Sequence, residues 1–451
     1  MAIVFSLCAA YVAYCLGTNP AGALTTPDSI HYLEASPIVP LGYPLFLMIF
    51  GARGVMIVQP IVFGGALAFL GYALVRHTRS TGLAVAVVAA IIALPQLRGF
   101  HASILSESLF LSLLIVLLAL SVRFAYQPTW RLLAGMAVAV ALAATVRRTG
   151  FAFVPVLMVM AFMQRDRLRV SRGVFPAAVA PLLIILGAEQ AAAPVVHDGR
   201  SSSLLGRHMF AKAALIEAPV APVSGDPLRD RLHQHLQLNY APIRSLLAEA
   251  PRDLRGVLSL YYETCLQGGC ADRSRDLMPA LSEPEQTRIL GSVALERIRR
   301  SPVAFLDLLA LNYQSLWAVD RLRHPDRAGA LTAFIAAHRR LPFELMALSL
   351  KPDHVMEFQP SARVRYMQLL MTAIAFWTAA LAAAGIIAAL RRVTLPPLFA
   401  VATIAALTAH GGLILTATLA AGFSRFMQGL WPAIAVAAMT GAWALLPRRS
   451  R

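Results

Sequence analysis

The sequence predicts an all-α polytopic membrane protein. Of the 451 residues, 58% are hydrophobic and only 14% are charged, whereas soluble proteins carry about 25% charged residues. The mean hydropathy is +0.65. Apolar stretches of about 16–25 residues recur along the chain, which is the length that crosses a hydrocarbon core of about 30 Å.

Ten apolar stretches are candidate transmembrane helices. They cover residues 2–17, 55–75, 82–97, 106–124, 131–146, 150–163, 174–190, 366–390, 394–418 and 427–446. No basic segment precedes the first one, so we interpret it as a retained span and not as a cleaved signal peptide. Residues 131–163 could form one helix or a hairpin broken at "RRTG", and the hairpin keeps the flanking arginine clusters on one side of the membrane.

The basic residues predict the orientation of these helices. The formal charge of +17 could suggest a nucleic-acid partner, but arginine clusters between apolar runs are typical of the positive-inside rule and not of a phosphate-binding groove. One side of the predicted bundle has 13 basic residues and is therefore cytoplasmic: Arg76, Arg79, Arg123, Arg131, Arg165, Arg167, Arg169, Arg172, Arg391, Arg392, Arg448, Arg449 and Arg451. The short connections on the other side have five: Arg53, Arg98, Arg147, Arg148 and Arg425.

The charge distribution also divides the chain into three parts. Residues 191–365 contain 18 of the 23 acidic residues and include helical patterning such as "SVALERIRRSPVAFLDLLALNYQSLW". We expect a transmembrane module over 1–190, an extracytoplasmic helical region over 191–365, and C-terminal transmembrane helices over 366–451. Cys265 and Cys270 flank "LQGG" in the middle region. The sequence there is compatible with a disulfide and also with two free thiols.

The few acidic residues outside this region indicate a candidate functional site. Asp166 lies in a cytoplasmic arginine cluster, and the other four are all predicted on the extracytoplasmic face: Asp28, Glu34, Glu107 and Glu189. A carboxylate near lipid is costly and usually lines a cavity or pathway. The same face carries further candidate binding residues: His31, Tyr32, Tyr43, Arg98, His101, Arg147, Arg148 and Arg425. There a carboxylate could accept a proton from a hydroxyl, while guanidinium groups hold a phosphate.

Simpler explanations exist for these residues. The whole role of Asp28 could be to cap the short helix that follows it. The whole role of Glu107 could be a favourable interaction with the helix dipole at the start of its helix. Glu34 could be a solvated surface residue, Glu189 the polar end of its helix, and the arginines headgroup anchors. His233 and His235 form an HxH pair without a third ligand, so no metal site is predicted.

Four stretches resemble the GT-C superfamily of membrane glycosyltransferases, which includes protein mannosyltransferases and the lipid A aminoarabinose transferase. They are "PDSIHYLE" followed by "LGYPLFL", then "ILSESLFLSLLIVLLAL", "AATVRRTGFAFVPVLM" and "SRFMQGLWPAIAVAA". The chain departs from the family pattern where Ser29 replaces a second acid, Arg148 replaces a proline and Phe426 replaces a tyrosine.

The resemblance implies a GT-C-like bundle and an inner-membrane enzyme that uses a polyprenyl-phosphate-linked sugar as donor. Asp28 would be the general base of an inverting transfer, and Glu107 would orient the acceptor, which could be a glycan, a lipid or a protein. Arg147, Arg148 and Arg425 would hold the donor phosphate. A divalent cation could share that role, although no ligand cluster requires one.

Other functions remain open at this point. A lipid-linked-sugar transporter or flippase would need polar groups near the bilayer midplane, where His410 is one of few. An O-antigen polymerase or ligase would depend on arginines in a large loop, and residues 191–365 contain 22 basic residues. A non-catalytic membrane scaffold is the third alternative.

Overall fold

A computed structural model describes residues 1–164, 174–197, 204–250, 274–317, 362–419 and 427–446, except residues 21, 27, 95, 222 and 224, and includes isolated positions between 251 and 273. Within these ranges the regular structure is helical, and one isolated parallel β-bridge joins Leu24 and Ser103. By contact clustering, the chain forms two units. Unit 1 contains residues 1–201, 374–413 and 428–451, and unit 2 contains residues 202–373 and 414–427.

The helices are numbered here in chain order. The first nine are α1 (Ala2–Thr18), α2 (Ser29–Leu33), α3 (Gly42–Thr78), α4 (Thr81–Ile92), α5 (Leu97–Ala102), α6 (Glu107–Tyr126), α7 (Trp130–Val146), α8 (Phe153–Met163) and α9 (Val174–Val196). The next five are α10 (Leu205–Leu215), α11 (Pro227–Leu238), α12 (Ala241–Glu249), α13 (Glu283–Arg300) and α14 (Pro302–Leu316). The last three are α15 (Ala362–Leu390), α16 (Pro397–Leu419) and α17 (Trp431–Leu445).

Five helices among the described residues are long and apolar enough to cross a membrane. They are Gly42–Thr78, Glu107–Tyr126, Pro176–Val196, Tyr366–Leu390 and Pro397–Leu419. Five further apolar helices have 10–17 residues: Ala2–Thr18, Thr81–Ile92, Trp130–Val146, Arg148–Met163 and Trp431–Leu445. The chain is therefore an all-α membrane protein, and the crossing of the bilayer by all ten predicted stretches stays a prediction.

One predicted helix limit is wrong, and one predicted helix is preceded by a second helical part. Helix α3 consists of two helical parts that meet at a kink at Gly51, where φ is +66° and ψ is 165°, a backbone conformation that glycine adopts without steric cost. The helix predicted over 55–75 lies within the second part. The helix assigned to 82–97 ends at Ile92. Pro95 follows closely, and a proline disfavours helical conformation in the residue before it.

The predicted break at "RRTG" is confirmed. Helix α7 ends at Val146, and Arg147 is extended, with a φ of −150° and a ψ of 127°. A 3₁₀ helix, Arg148–Ala152, then leads into α8. A Cβ atom on Gly150 would lie 2.4 Å from the backbone nitrogen of Ala144, so the chain can turn back against the end of α7 only because this residue has no side chain.

Small residues also bring α1 and α3 together within unit 1. A Cβ atom on Gly64 would lie 2.2 Å from a methyl carbon of Val12, and one on Gly71 would lie 2.3 Å from a methyl carbon of Val4. The two glycines are seven positions apart and share one face of α3. Close approach of helix backbones at small residues is a usual way to pack helices in lipid, where no hydrophobic force drives them together.

Unit 2 has its own apolar core, which includes Phe210, Leu232, Tyr262 and Leu290. An ion pair is enclosed in this unit. The Nζ atom of Lys212 lies 2.6 Å from Oε1 of Glu263, and both side chains are fully buried. Asn312 donates a hydrogen bond of 2.7 Å to the other carboxylate oxygen. Removing one member of such a pair is strongly destabilising, because it leaves an uncompensated buried charge.

We expect Gly150→Ala to destabilise the protein by about 1–3 kcal/mol, the usual cost of overpacking a close contact. The matched control is Gly187→Ala in α9, where an added Cβ atom would meet nothing within 4 Å. Equilibrium unfolding of both variants in mixed detergent micelles measures the difference. Equal stability of the two variants would contradict the close turn at Gly150.

Candidate functional site

The candidate site begins with the loop between α1 and α3, which is fixed to the segment before α6. The backbone nitrogen of Leu24 donates to Ala102 O at 2.8 Å, and that of Ile104 donates to Leu24 O at 3.0 Å. The Ser29 hydroxyl donates to Ile104 O at 2.9 Å. These bonds place Asp28, next to Ser29, on the same side of the bundle as the first turn of α6.

Tyr32 extends this connection. Its hydroxyl lies 2.9 Å from the Ser106 hydroxyl, directly before Glu107, and its ring packs edge-on against Tyr43 with the centroids 5.0 Å apart. Tyr43 is fully buried and donates to Gln59 Oε1 at 3.3 Å. The first loop is therefore held to α3 and α6 by side chains as well as by backbone.

Gln59 lies at the centre of this arrangement. It is 1% exposed, and its Nε2 donates to His101 O at 3.1 Å and to Ser103 O at 3.3 Å. The sequence analysis did not identify it. The available signal was a lone amide in the middle of an apolar helix, since a polar residue inside a span usually has a specific partner.

An ion pair between helix ends forms the charged centre of the site. Glu107, the first residue of α6, lies 2.6 Å from Arg147, the residue after α7. Their side chains are only 10% and 20% exposed. An acid at a helix N-terminus is favoured by the helix dipole, but the short ion pair shows that Glu107 does more than this.

Asp28 and Tyr32 lie within electrostatic range of this pair. Burial raises the pKa of Tyr32; Arg147 opposes that shift, and the carboxylates of Glu107 and Asp28 add to it. Burial alone would lower the pKa of Arg147, but Glu107 outweighs it, and Tyr32 and Asp28 add to a net rise. Arg147 is therefore a permanent cation between two carboxylates that come from distant parts of the sequence.

The interpretation of Asp28 as a simple helix cap is wrong. It occupies the position before α2, but it has a φ of −74° and a ψ of −21°, and its side chain makes no capping hydrogen bond. Capping residues usually have an extended backbone and accept a bond from the first turn. The half-buried carboxylate of Asp28 instead contributes to the raised pKa of Arg147.

Arg148 is directed away from Arg147 and towards Glu189. Its NH1 lies 3.1 Å from Glu189 Oε2, while Glu189 Oε1 accepts a bond of 3.2 Å from the backbone nitrogen of Leu41. The Glu189 side chain is 4% exposed and that of Arg148 is 47% exposed. Glu189, which the sequence analysis took as the polar end of its helix, therefore ties α9 to the start of α3.

The structure distributes the remaining candidate residues differently. His101 is fully buried, with Nδ1 at 2.7 Å from the Ser108 hydroxyl; like Tyr43, it supports the site from inside the bundle. Arg98 donates to Thr18 O at the end of α1. His31 is half-buried on α2, and Glu34 is exposed just after it. Arg425 lies outside the described residues, as do Cys265 and Cys270.

Among the residues that the structure describes, no three His, Cys, Asp or Glu side chains are grouped so that they could hold a metal ion. The two histidines of the HxH pair in unit 2 have different partners. His233 Nε2 lies 3.1 Å from Glu296, and His235 Nε2 lies 3.2 Å from the Tyr240 hydroxyl. The two histidines are therefore directed to different side chains.

Comparisons with known proteins do not add to this geometry. No family model, no curated protein and no solved structure matches the chain. The chemistry of the site is therefore argued from its residues. They provide a half-buried carboxylate at Asp28, an oriented carboxylate at Glu107, a cation between them, and a second, half-exposed cation at Arg148.

We expect Glu107→Gln and Arg147→Gln each to destabilise unit 1 by about 3 kcal/mol, because each substitution leaves its charged partner poorly solvated. The double variant should lose much less than the sum of the two. Unfolding in mixed micelles of the two single variants and the double variant gives this coupling energy. Additive losses would show that the two side chains do not interact.

Proposed function

We propose that the protein is an integral membrane glycosyltransferase that moves a sugar from a polyprenyl-phosphate donor to an acceptor hydroxyl. The observation that carries this proposal is the position of Asp28 beside the Glu107–Arg147 pair. A second carboxylate therefore lies close enough to the Arg147 cation to raise its pKa. Base-assisted transfer from an anionic leaving group requires this combination.

In the proposed reaction, Asp28 accepts the proton of the acceptor hydroxyl. The acceptor oxygen attacks the anomeric carbon of the donor from the face opposite the phosphate. As the new carbon–oxygen bond forms, the bond between the anomeric carbon and the phosphate oxygen breaks, and its electron pair leaves with the lipid phosphate. Configuration at the anomeric carbon is inverted, and no further reactant is needed.

The two arginines have different roles in this proposal. Arg147 is held by Glu107 and keeps the site from accumulating negative charge when two carboxylates and a phosphate meet. Arg148 is half-exposed and oriented by Glu189, so its remaining N–H groups can donate to the donor phosphate. A guanidinium binds phosphate oxygens in a forked geometry, which stabilises charge on the leaving group as the glycosidic bond breaks.

The site is proposed to face the extracytoplasmic side of the plasma membrane. The positive-inside distribution supports this orientation, because the loops on the opposite side carry 13 of the 18 basic residues outside 191–365. A lipid-linked phosphate would reach the half-exposed Arg148 at the helix ends while its chain stays in the bilayer. Asp28, His31 and Glu34 belong to the loop that would meet the acceptor.

One arginine of the large loop, Arg297, has a structural role. Arg297 is 2% exposed and donates to Ala213 O and Ile216 O, both at 2.9 Å. Burial lowers its pKa to about 10, and the guanidinium is used to fix backbone carbonyls. A structural arginine of this kind has no N–H group directed to a lipid-linked substrate.

We expect Asp28→Asn to abolish sugar transfer while leaving folding intact, since the amide cannot accept the hydroxyl proton. Mass spectrometry of envelope glycans and lipids with and without the gene identifies the missing sugar. Complementation with each variant then measures transfer. The control Glu249→Gln changes an exposed carboxylate of α12 in the same way. Full restoration by Asp28→Asn would remove the proposed base.

We expect Arg148→Gln to reduce the same product by at least about tenfold, since loss of a charged hydrogen bond to phosphate costs about 1.5–3 kcal/mol. Arg299→Gln, an exposed residue of α13, should have no effect. A liposome assay for translocation of the lipid-linked sugar distinguishes transfer from transport. Translocation without transfer by the wild-type protein would favour the flippase alternative.

A further inference from the structure

A groove in unit 2 has no role in the chemistry proposed above. It runs beside the first half of α14 and the segment that follows α10. A recess of about 90 Å³ and an open groove of about 890 Å³ share three lining residues, Glu217, Ala304 and Asp307, so the two spaces adjoin. A groove of this volume is within the range of about 300–1,000 Å³ that small-molecule sites occupy.

The recess contains an unsatisfied hydroxyl. Ser259 lines it, is 1% exposed, and its Oγ has no hydrogen-bond partner among the residues that the structure describes. Leaving a buried hydroxyl without a partner costs about 1–3 kcal/mol. The other walls of the recess are largely aliphatic, such as Leu247 and Leu308, so a ligand group with its own hydroxyl would satisfy Ser259 and pack against the walls.

The mouth of the recess is charged but balanced. The Glu217 side chain is 70% exposed, with Oε2 at 2.8 Å from Arg244 Nε. The Asp307 side chain is 52% exposed and lies 3.5 Å from Arg255. Each carboxylate has an arginine partner and can still accept bonds from a ligand. A mouth without excess charge favours a neutral polar ligand over an anion or a cation.

The open part of the groove adds one amide and two aliphatic faces. Gln237 Oε1 accepts a bond of 2.9 Å from Arg297, so its amide nitrogen is the group that can donate to a ligand. Val220 and Val303 line the groove and are 75% and 78% exposed. The surface therefore alternates acceptors, a donor and apolar patches over a short distance.

We propose that this groove is a saccharide-binding site. Sugar hydroxyls both donate and accept, which suits the paired carboxylates and the amide, and the C–H faces of a sugar ring suit the valines. The recess, at about 90 Å³, has room for one exocyclic hydroxymethyl group that would reach Ser259. The inference that a saccharide binds in this groove does not depend on the proposed function. The further inference that this saccharide is the acceptor of the transfer reaction rests on the proposed function.

The test is saturation-transfer difference NMR on the full-length protein in nanodiscs, with empty nanodiscs as background. The probes are methyl glucoside, methyl galactoside, N-acetylglucosamine and maltotriose. Two variants block the site in different ways: Ala304→Trp fills the groove, and Ser259→Val removes the hydroxyl in the recess. Ala310→Trp, an exposed position of α14 that does not line the groove, is the matched control.

We expect at least one probe to bind the wild-type protein and the control, and to bind Ala304→Trp and Ser259→Val about tenfold more weakly. Thermal unfolding of each variant identifies any variant that does not fold. If one of the two blocking variants fails to fold, saccharide binding by the other one tests the proposal. No binding by any probe, or binding that both variants retain, would overturn the proposal. Because no turnover is measured, loss of transfer in Asp28→Asn and loss of binding in the groove are separate results.

Discussion

The ion pair between Glu107 and Arg147 is the contact on which the proposed site depends. It joins the start of α6 to the end of α7 across 2.6 Å, with little exposure to water. Neither charge would be stable there alone, since an unpaired charge in such a position costs several kcal/mol. The pair therefore holds the two helix ends together and places the Arg147 cation within electrostatic range of Asp28.

The extended backbone at Arg147 explains how one short turn supplies two cations to different partners. If α7 continued as a helix, consecutive side chains would be about 100° apart around its axis. Instead the chain leaves the helix at Arg147 and enters a 3₁₀ turn at Arg148, so the first guanidinium meets Glu107 and the second meets Glu189. Gly150 makes this turn possible because it lies directly against α7. The "RRTG" sequence thus forms the turn and also supplies the two positive charges.

Much of the fold could be predicted from the sequence, because apolar periodicity and length determine where helices form in a membrane protein. The positions of the ten apolar helices and the break after α7 are examples. The kink at Gly51 inside α3 could not be predicted, since only the φ of that glycine shows where the preceding arm joins the span. Helix ends depend on single residues and their neighbours in space, and a single sequence does not show which residues those neighbours are.

The residues of the candidate site also fall into those that could be predicted from the sequence and those that could not. Asp28, Glu107 and Arg147 could be proposed because charges are rare in this chain outside residues 191–365, and rare charges beside apolar segments usually have partners. Gln59 could not, because its role comes from backbone carbonyls of a segment 42 and 44 residues away. Sequence patterns identify groups that are costly to bury. They do not identify the neutral groups that hold the loops, and in this protein those neutral groups decide whether Asp28 reaches Arg147.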